Sequence, residues 1–464
     1  MDQHMMTRSV FAAVTSLVLL AGPGVPAASA QPAAEGAPPA PLVGTTGGIT
    51  EVLQLIAARS PDALAAQAVQ SQAEAHFAQS RAAFLGKVDA YGLSQHFNDP
   101  RLTRPITQPP VVALYPFAAN QFGYGIEYQL PIDLSRRIAA EVDAARSTAE
   151  GARWSTDDMR LRAVLDGAAL YRNLQALSGQ CTALARQLDA LQASERAAAA
   201  GLKAGTVARV SLLRVQAAVA EVQASIAGVR GQERAQRAQL AGLMGVDSFP
   251  VRVESLESGP VVVPANPSAE PPGLRAVQST VLAAQANVDA TRRAQYPQFF
   301  VNGGWNHNAI QWDTQGIDTW QVNVGVRVNV WSGGAQRRAL DAAQAADREA
   351  RQHLQRAQDN LRAAREGATA RWEAQEDTYR AALSGLQVAE ESERIEQDRF
   401  RTGLGSATEL IDAAAALARA RASVANALAG WWQADDALRY AYGEPPLALQ
   451  EPTPTSSIAE SAKP

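Results

Sequence analysis

The chain has 464 residues, of which 47% are hydrophobic, 6% aromatic and 19% charged, and its formal net charge is −4. It contains no basic block that would favour nucleic acid, and its five histidines and one cysteine lack metal-ligand spacing. It also contains no nucleophile elbow and no phosphate-binding loop. We therefore expect a protein that is not an enzyme and that has no nucleic-acid partner, no metal and no cofactor.

Residues 1–30 have the pattern of a cleaved export signal. Arg8 supplies a positive charge, residues 9–20 form an apolar run, and residues 28–30 form a small-residue cleavage site before Gln31. The alternative is an uncleaved anchor, for which the apolar run is too short to cross a bilayer comfortably. Because no cysteine follows the cleavage site, we expect no lipid at that site.

Three other segments lack apolar periodicity. Residues 31–50 are rich in proline, alanine and glycine, which predicts a flexible leader, and residues 444–464 predict a disordered tail. Residues 246–272 are rich in valine, proline and glutamate and predict an irregular segment near the middle of the molecule. No segment after the export signal has the apolar length of a transmembrane helix.

The strongest pattern in the chain is an internal repeat. Residues 122–245 match residues 320–443 at a constant separation, so that Gly205 falls on Gly403, 198 residues later. Since the glycines match as well as the abundant alanines, we interpret the pattern as a duplication. It predicts two helix-strand-strand-helix repeats, at residues 51–245 and 273–443.

Each repeat contains a segment of about ten residues in which apolar and polar side chains alternate, as in a strand with one face in lipid. The apolar positions include Phe122, Tyr124 and Tyr128 in the first repeat and Trp320, Val324 and Val328 in the second. Weaker strand patterns precede these segments at 84–93 and 298–306, and the proline-rich stretch 94–121 predicts a long outer loop. A soluble β-hairpin would show the same alternation.

Long helices are predicted between the strands. In 135–200 and 207–244, apolar residues recur in steps of three and four, which is the spacing of helices that wind around partners. The first of these helices would be about 100 Å long. Cys181 lies in its apolar stripe, so we interpret it as a core residue. Corresponding helices are predicted at 334–399 and 407–442, and shorter helices before the strands at 61–82 and 273–295.

Four strands in one chain cannot close a barrel, and open strand edges cannot lie in lipid. Three copies would supply twelve strands, an even and plausible number for a closed barrel. The predicted fold class is therefore mainly α with a transmembrane β part. Long coiled-coil hairpins and four strands per protomer would close as a homotrimeric 12-stranded barrel on an α-helical tunnel.

Two turns between long helices, one in each repeat, carry a glycine before a leucine-containing helix. The residues concerned are Leu202, Gly205 and Thr206 in the first turn and Phe400, Gly403 and Ser406 in the second. Taken with the export signal, the repeat and the strands, these turns resemble the tips of the TolC-like outer-membrane efflux proteins, the outer membrane factors. The resemblance covers roughly residues 50–444.

The resemblance implies a conduit in the outer membrane of a Gram-negative bacterium, embedded in lipid and extended into the periplasm. It implies that the tips dock a periplasmic membrane-fusion adaptor, and that an inner-membrane pump or secretion ATPase supplies energy. The substrate stays open between a drug, a metal ion and a protein. The alternative is an exported trimeric coiled-coil structural or adaptor protein, although tandem hairpins with four strands disfavour an adaptor.

Glu409 and Asp412 match the positions at which that family lines its periplasmic gate with acids. They are three residues apart and so lie on one helix face. Three copies would place six carboxylates around one axis, where like charges would raise their pKa values and acid would relax the ring. The alternative is that these acids complement the dipole of the helix that they begin.

Overall fold

A computed structural model describes residues 47–102, 117–205, 207–248, 250–256, 258–260, 270–310, 316–402 and 404–449. These residues form seven α-helices, four β-strands and two 3₁₀ turns. The predicted export signal lies outside the described residues, as do Thr206 and Gly403 of the predicted tips.

The helices are α1 (Ile49–Arg59), α2 (Pro61–Ala82), α3 (Arg137–Lys203), α4 (Arg209–Leu243), α5 (Pro272–Arg293), α6 (Ala335–Arg401) and α7 (Ala407–Ala441). The two longest, α3 and α6, contain 67 residues each, so each is about 100 Å long. The helices that follow them, α4 and α7, contain 35 residues each. Long helix α3 packs against α2, α4, α5 and α7, whereas α6 packs against α5 and α7.

The strands are β1 (Lys87–Leu102), β2 (Phe117–Ile132), β3 (Gln298–Ile310) and β4 (Ile317–Arg327). They form one sheet in the order β1-β2-β3-β4, and every neighbouring pair is antiparallel. Among the described residues, β1 and β4 therefore each have a partner on one side only. The first pair is irregular between His96 and Arg101, where the register shifts.

The strands of the first repeat are longer than predicted. Both β1 and β2 extend into the stretch 94–121 that was predicted as a loop, and the remainder of that loop, 103–116, lies outside the described residues. The start of the predicted strand 84–93 is instead a 3₁₀ turn, Ala83–Leu85, which ends at Gly86. Gly86 has φ of +73°, a conformation that interrupts the extended backbone.

The last strand is shorter than predicted. It ends at Arg327, so Val328, which we had placed in the strand, lies one residue beyond it. Arg327 pairs with Gln298, the first residue of β3, and the residue before it is Pro297, opposite Val328. Since proline has no N–H to donate, the ladder stops there.

The largest apolar core lies where α1 and the end of α4 pack against the middle of α3. Leu53 and Ile56 of α1 are fully buried there with Leu174 of α3 and Leu240 of α4. A Cβ atom at Gly167 would overlap the Ile56 side chain, so glycine at that position allows α1 to approach α3 closely. This core fixes the middle of the long helix between the sheet and the tips.

Two segments predicted to be unstructured contribute to this core region. Helix α1 begins at Ile49, inside the predicted leader 31–50, and Gly47 forms a β-bridge with Val251. In the predicted tail 444–464, Leu449 packs against the core, while residues 450–464 lie outside the described residues. Among the described residues of these segments, Ile49, Ala448 and Leu449 are partly buried against the core.

Helix α4 corrects one expectation. By length and composition alone it could cross a membrane, although no transmembrane helix is predicted after the export signal. Its apolar residues Val219, Val222 and Ile226 are instead buried against Leu191 of α3, and the half-buried Cys181 lies beside them. This arrangement is typical of paired helices in a coiled coil.

Candidate functional site

The first tip is the turn between α3 and α4. Gly205 has φ of +76°, and its amide donates to the Leu202 carbonyl at 3.1 Å. No described atom would lie within 4 Å of a Cβ at this position, so the backbone conformation, rather than space, requires the glycine. The turn therefore presents an open surface, next to a Leu202 side chain that is 36% exposed.

The second tip is the turn between α6 and α7. The amides of Leu404 and Gly405 both donate to the Arg399 carbonyl, at 2.8 and 2.9 Å. A Cβ at Gly405 would lie 3.0 Å from the Phe400 backbone nitrogen, so close approach disfavours a side chain here. Leu404 is 78% exposed and Phe400 is half-buried. Sequence reasoning missed Leu404 and Gly405, although they directly follow Gly403.

Helix α7 begins with a capping box. The Glu409 carboxylate accepts from the Ser406 amide at 2.9 Å, and the Ser406 hydroxyl accepts from the Glu409 amide at 3.2 Å. The hydrogen bonds from Ser406 hold the pKa of Glu409 below its ordinary value. This lowering of the Glu409 pKa, found within one chain, is opposite to the rise expected for a ring of like charges. Asp412 is exposed nearly one turn further along the helix.

The two tips are held side by side. Arg214 of α4 donates from Nη1 to the Thr408 hydroxyl of α7 at 3.0 Å. Ile411 of α7 packs against the apolar cluster that contains Val222 of α4 and Leu191 of α3. The helix starts that follow both glycine turns therefore belong to one packed unit.

Across β2, β3 and β4 the sheet has one mainly apolar and one mainly polar face. Residues directly opposite one another on neighbouring strands share a face of the sheet. Trp305 of β3 lies opposite Ile126 of β2 on one side and opposite Trp320 of β4 on the other, so all three are on one face. Strand alternation places all the remaining predicted strand positions on this face: Phe122, Tyr124, Tyr128 and Val324. Trp320 and Val324 are 79% and 76% exposed.

The opposite face carries polar side chains. Gln129, Asn302 and Asn323 lie opposite one another across the last three strands. A sheet with an exposed apolar face on one side and amides on the other can separate lipid from water. The alternation predicted from the sequence thus describes real faces of this sheet.

A buried charged cluster joins α3 to α7, about 40 Å along α7 from the second tip. Arg172 lies 3.7 Å from the Asp436 carboxylate and 4.4 Å from the centre of the Trp432 ring. Beside them, the Arg439 guanidinium contacts Asp435 at 2.8 Å. Burial raises the pKa of Asp436 to about 6 and lowers the pKa of Arg172.

Sequence reasoning missed this cluster. The available signal was the run Trp431-Trp432 followed by Asp435-Asp436 in a helix that is otherwise rich in alanine. Its partner Arg172 lies in the other repeat, so no local pattern identified the pair.

Comparison with known proteins agrees with the geometry. A family model described as outer membrane efflux protein matches residues 52–246 and 267–444. No match to a curated protein reaches significance. Among solved structures, the chain is similar to CusC, with a TM-score of 0.74 and 16% identity over 87% of this chain and 96% of that chain.

Two further structures are outer-membrane proteins of named organisms. The CmeC outer membrane channel of Campylobacter jejuni has a TM-score of 0.73 and 16% identity over 85% of each chain. The outer membrane protein VceC of Vibrio cholerae has a TM-score of 0.71 and 18% identity over 86% of this chain and 96% of that chain. At such identities the structures show a shared fold. The family model, however, covers most of the sequence and confirms the resemblance: the chain belongs to the outer membrane efflux protein family.

Proposed function

We propose that this chain is the outer-membrane channel subunit of a tripartite efflux or type I secretion system. Substrates would pass through it from the periplasm to the exterior of a Gram-negative cell. The observation that carries the proposal is the four-stranded sheet, which has an exposed apolar face and stands at the end of helices about 100 Å long.

The channel requires three copies. The unpaired edges of β1 and β4 would leave N–H and C=O groups without partners in lipid, and pairing β4 of one copy with β1 of the next removes both edges. Three copies give a 12-stranded barrel. Along α6, only Ala350 and Ala368 are buried in the single chain, which leaves most of its surface available to other copies.

An internal duplication accounts for the equal lengths of corresponding helices. Helices α3 and α6 contain 67 residues each, and α4 and α7 contain 35 residues each. The starts of α3 and α6, at Arg137 and Ala335, are 198 residues apart. In the trimer, two such hairpins per chain would continue the barrel as an α-helical tunnel.

The tips are the proposed docking surface for a periplasmic membrane-fusion adaptor, whose partner is an inner-membrane pump or secretion ATPase. The side-chain-free surface at Gly205 and the exposed Leu404 would admit an approaching helix, and Leu202 and Phe400 border it. Glu409 and Asp412 would then line the periplasmic gate of the trimer. In this arrangement Glu409 both caps α7 and carries a gate charge.

The test is the membrane location and the mass of the full-length protein. We expect it in the outer-membrane fraction, extractable by detergent but not by salt, as particles that contain three chains by light scattering or native mass spectrometry. A single-chain particle, or a protein soluble without detergent, would refute the barrel and favour an exported coiled-coil protein.

A further inference from the structure

Seven arginines cluster where helices adjoin the sheet. They are Arg81 near the end of α2, Arg136 and Arg137 at the start of α3, Arg292 and Arg293 at the end of α5, and Arg337 and Arg338 in the first turn of α6. We call these residues the arginine collar. The stretches 81–86, 133–141, 289–297 and 328–341 that contain it hold only four acids, so the collar is locally positive although the chain carries −4.

Four of the seven collar arginines, those at the starts of α3 and α6, lie where the helix dipole disfavours positive charge. The positive end of a helix dipole is its N-terminus, which favours acids and disfavours arginine. Neither α3 nor α6 has an acid in its first turn. The start of α3 is capped by Asp133, whose carboxylate accepts from the Ala139 amide at 2.8 Å, whereas the start of α6 has no such carboxylate among the described contacts. The pairs of Arg292 with Asp289 and of Arg338 with Asp341 are local and exposed, and such pairs bind weakly. Arg137 is half-buried in its local pair with Glu141. An anion from outside the chain would offset this repulsion.

An exposed apolar ring lies between the apolar face of the sheet and the collar. It consists of Leu85, Leu134, Tyr296, Val330 and Trp331, of which Val330 and Trp331 are 92% and 86% exposed. Tryptophan and tyrosine favour the boundary between hydrocarbon and water. From the sheet towards the helices, the order is therefore apolar strand, interfacial aromatic and arginine, which is the order of hydrocarbon, interface and phosphate in a bilayer.

The spacing of the tryptophans fits one membrane thickness. Trp320 and Trp331 are eleven residues apart, which corresponds to at most about 36 Å, since the last four residues lie beyond the end of β4 at Arg327. At the usual tilt of barrel strands, this gives a height of at most about 28 Å, close to the apolar band of about 25 Å in outer-membrane barrels. Trp331 then lies at the periplasmic surface, and the collar lies just beyond it.

We propose that the arginine collar binds the phosphate headgroups of anionic phospholipids in the periplasmic leaflet of the outer membrane. This inference rests on the proposed function, since the sheet must cross that membrane.

The test is lipid binding by the full-length protein, purified in a neutral detergent and titrated with phosphatidylglycerol or phosphatidylcholine. Bound lipid is counted by native mass spectrometry. Each basic side chain near an anionic surface strengthens binding about fivefold, so Arg337→Gln with Arg338→Gln should weaken phosphatidylglycerol binding about thirtyfold. Arg337→Lys with Arg338→Lys keeps both charges and should stay close to the unmodified protein.

A matched control is Arg230→Gln with Arg234→Gln, which removes two exposed charges from α4, far from the sheet. The proposal would be overturned if this control bound phosphatidylglycerol no more tightly than Arg337→Gln with Arg338→Gln. It would also be overturned if the unmodified protein bound phosphatidylglycerol and phosphatidylcholine equally. Inorganic phosphate that displaces the lipid and binds without it would identify a free-anion site and overturn the lipid assignment. Planar-bilayer conductance of the same samples separates the collar proposal from the proposed channel function. If the protein forms channels but shows no preference for anionic headgroups, only the collar proposal is refuted. If it forms no channels, the proposed function is refuted.

Discussion

Replacing Asp436 by asparagine should change how the stability of the protein depends on pH. Asp436 is 1% exposed, and neither carboxylate oxygen has a hydrogen-bond partner among the described residues. The charged groups around it are Arg172 of α3, at 3.7 Å, and Asp435 and Arg439 of its own helix. Burial outweighs the attraction to Arg172 and raises the pKa from 3.8 to about 6.

The magnitude follows from that shift. One pKa unit corresponds to about 1.4 kcal/mol, so the difference between the folded and unfolded chains amounts to about 3 kcal/mol per chain. Because the folded pKa is the higher value, the folded state binds the proton more tightly. The stabilisation is complete below about pH 4 and is lost as the pH rises through about 6. Asparagine cannot titrate, so Asp436→Asn removes this loss.

The assay is thermal unfolding of both proteins in detergent, followed by circular dichroism from about pH 4 to pH 7. We expect the unfolding free energy of Asp436→Asn, relative to the unmodified protein, to rise by about 3 kcal/mol per chain across this range. The control Asp377→Asn removes a carboxylate that is 79% exposed. Its unfolding free energy, relative to the unmodified protein, should stay nearly constant from about pH 4 to pH 7. If the difference in unfolding free energy between Asp436→Asn and the unmodified protein does not change with pH, the buried carboxyl does not have a raised pKa.

Three further predictions concern the sheet and the tips. Val324→Arg places a charge on the apolar face at a cost of about 2–4 kcal/mol, so outer-membrane yield should fall sharply, whereas Asn323→Arg on the polar face should insert normally; equal yields would contradict the assignment of faces. Ser406→Ala removes one half of the capping box with Glu409 and should speed amide hydrogen exchange in the first turn of α7 about fivefold, and unchanged exchange would count against the cap. Gly205→Ala forces a side chain into a left-handed conformation and should destabilise the first tip by about 1 kcal/mol, measured by the same exchange method.

Periodic patterns made most of the fold predictable. The alternation around Tyr124 and Val324 identified two strands, and the apolar steps of three and four identified α3 within three residues of its ends. Helix α1 was missed because it follows directly on a low-complexity leader. Its place is set by contacts such as that of Ile56 with α3, which no local pattern reports.

The candidate site was less predictable because its contacts are partly non-local. The capping box is a local pattern, a serine followed three residues later by a glutamate, and the sequence alone could have indicated it at Ser406 and Glu409. The contact of Arg172 with Asp436 depends instead on how α3 and α7 pack, so the sequence could not predict it. The preference for glycine at position 405 likewise depends on how closely the turn approaches Phe400.

Planar-bilayer conductance of the detergent-purified protein tests the central claim most directly, beside the double variant Glu409→Ala with Asp412→Ala. We predict a small, cation-selective conductance that increases in the double variant, because the substitutions remove six carboxylates from the proposed gate of a trimer. An increased conductance would support the channel and the gate together, and an unchanged one would contradict the gate. The absence of any conductance, from a protein that is soluble without detergent, would contradict the channel itself.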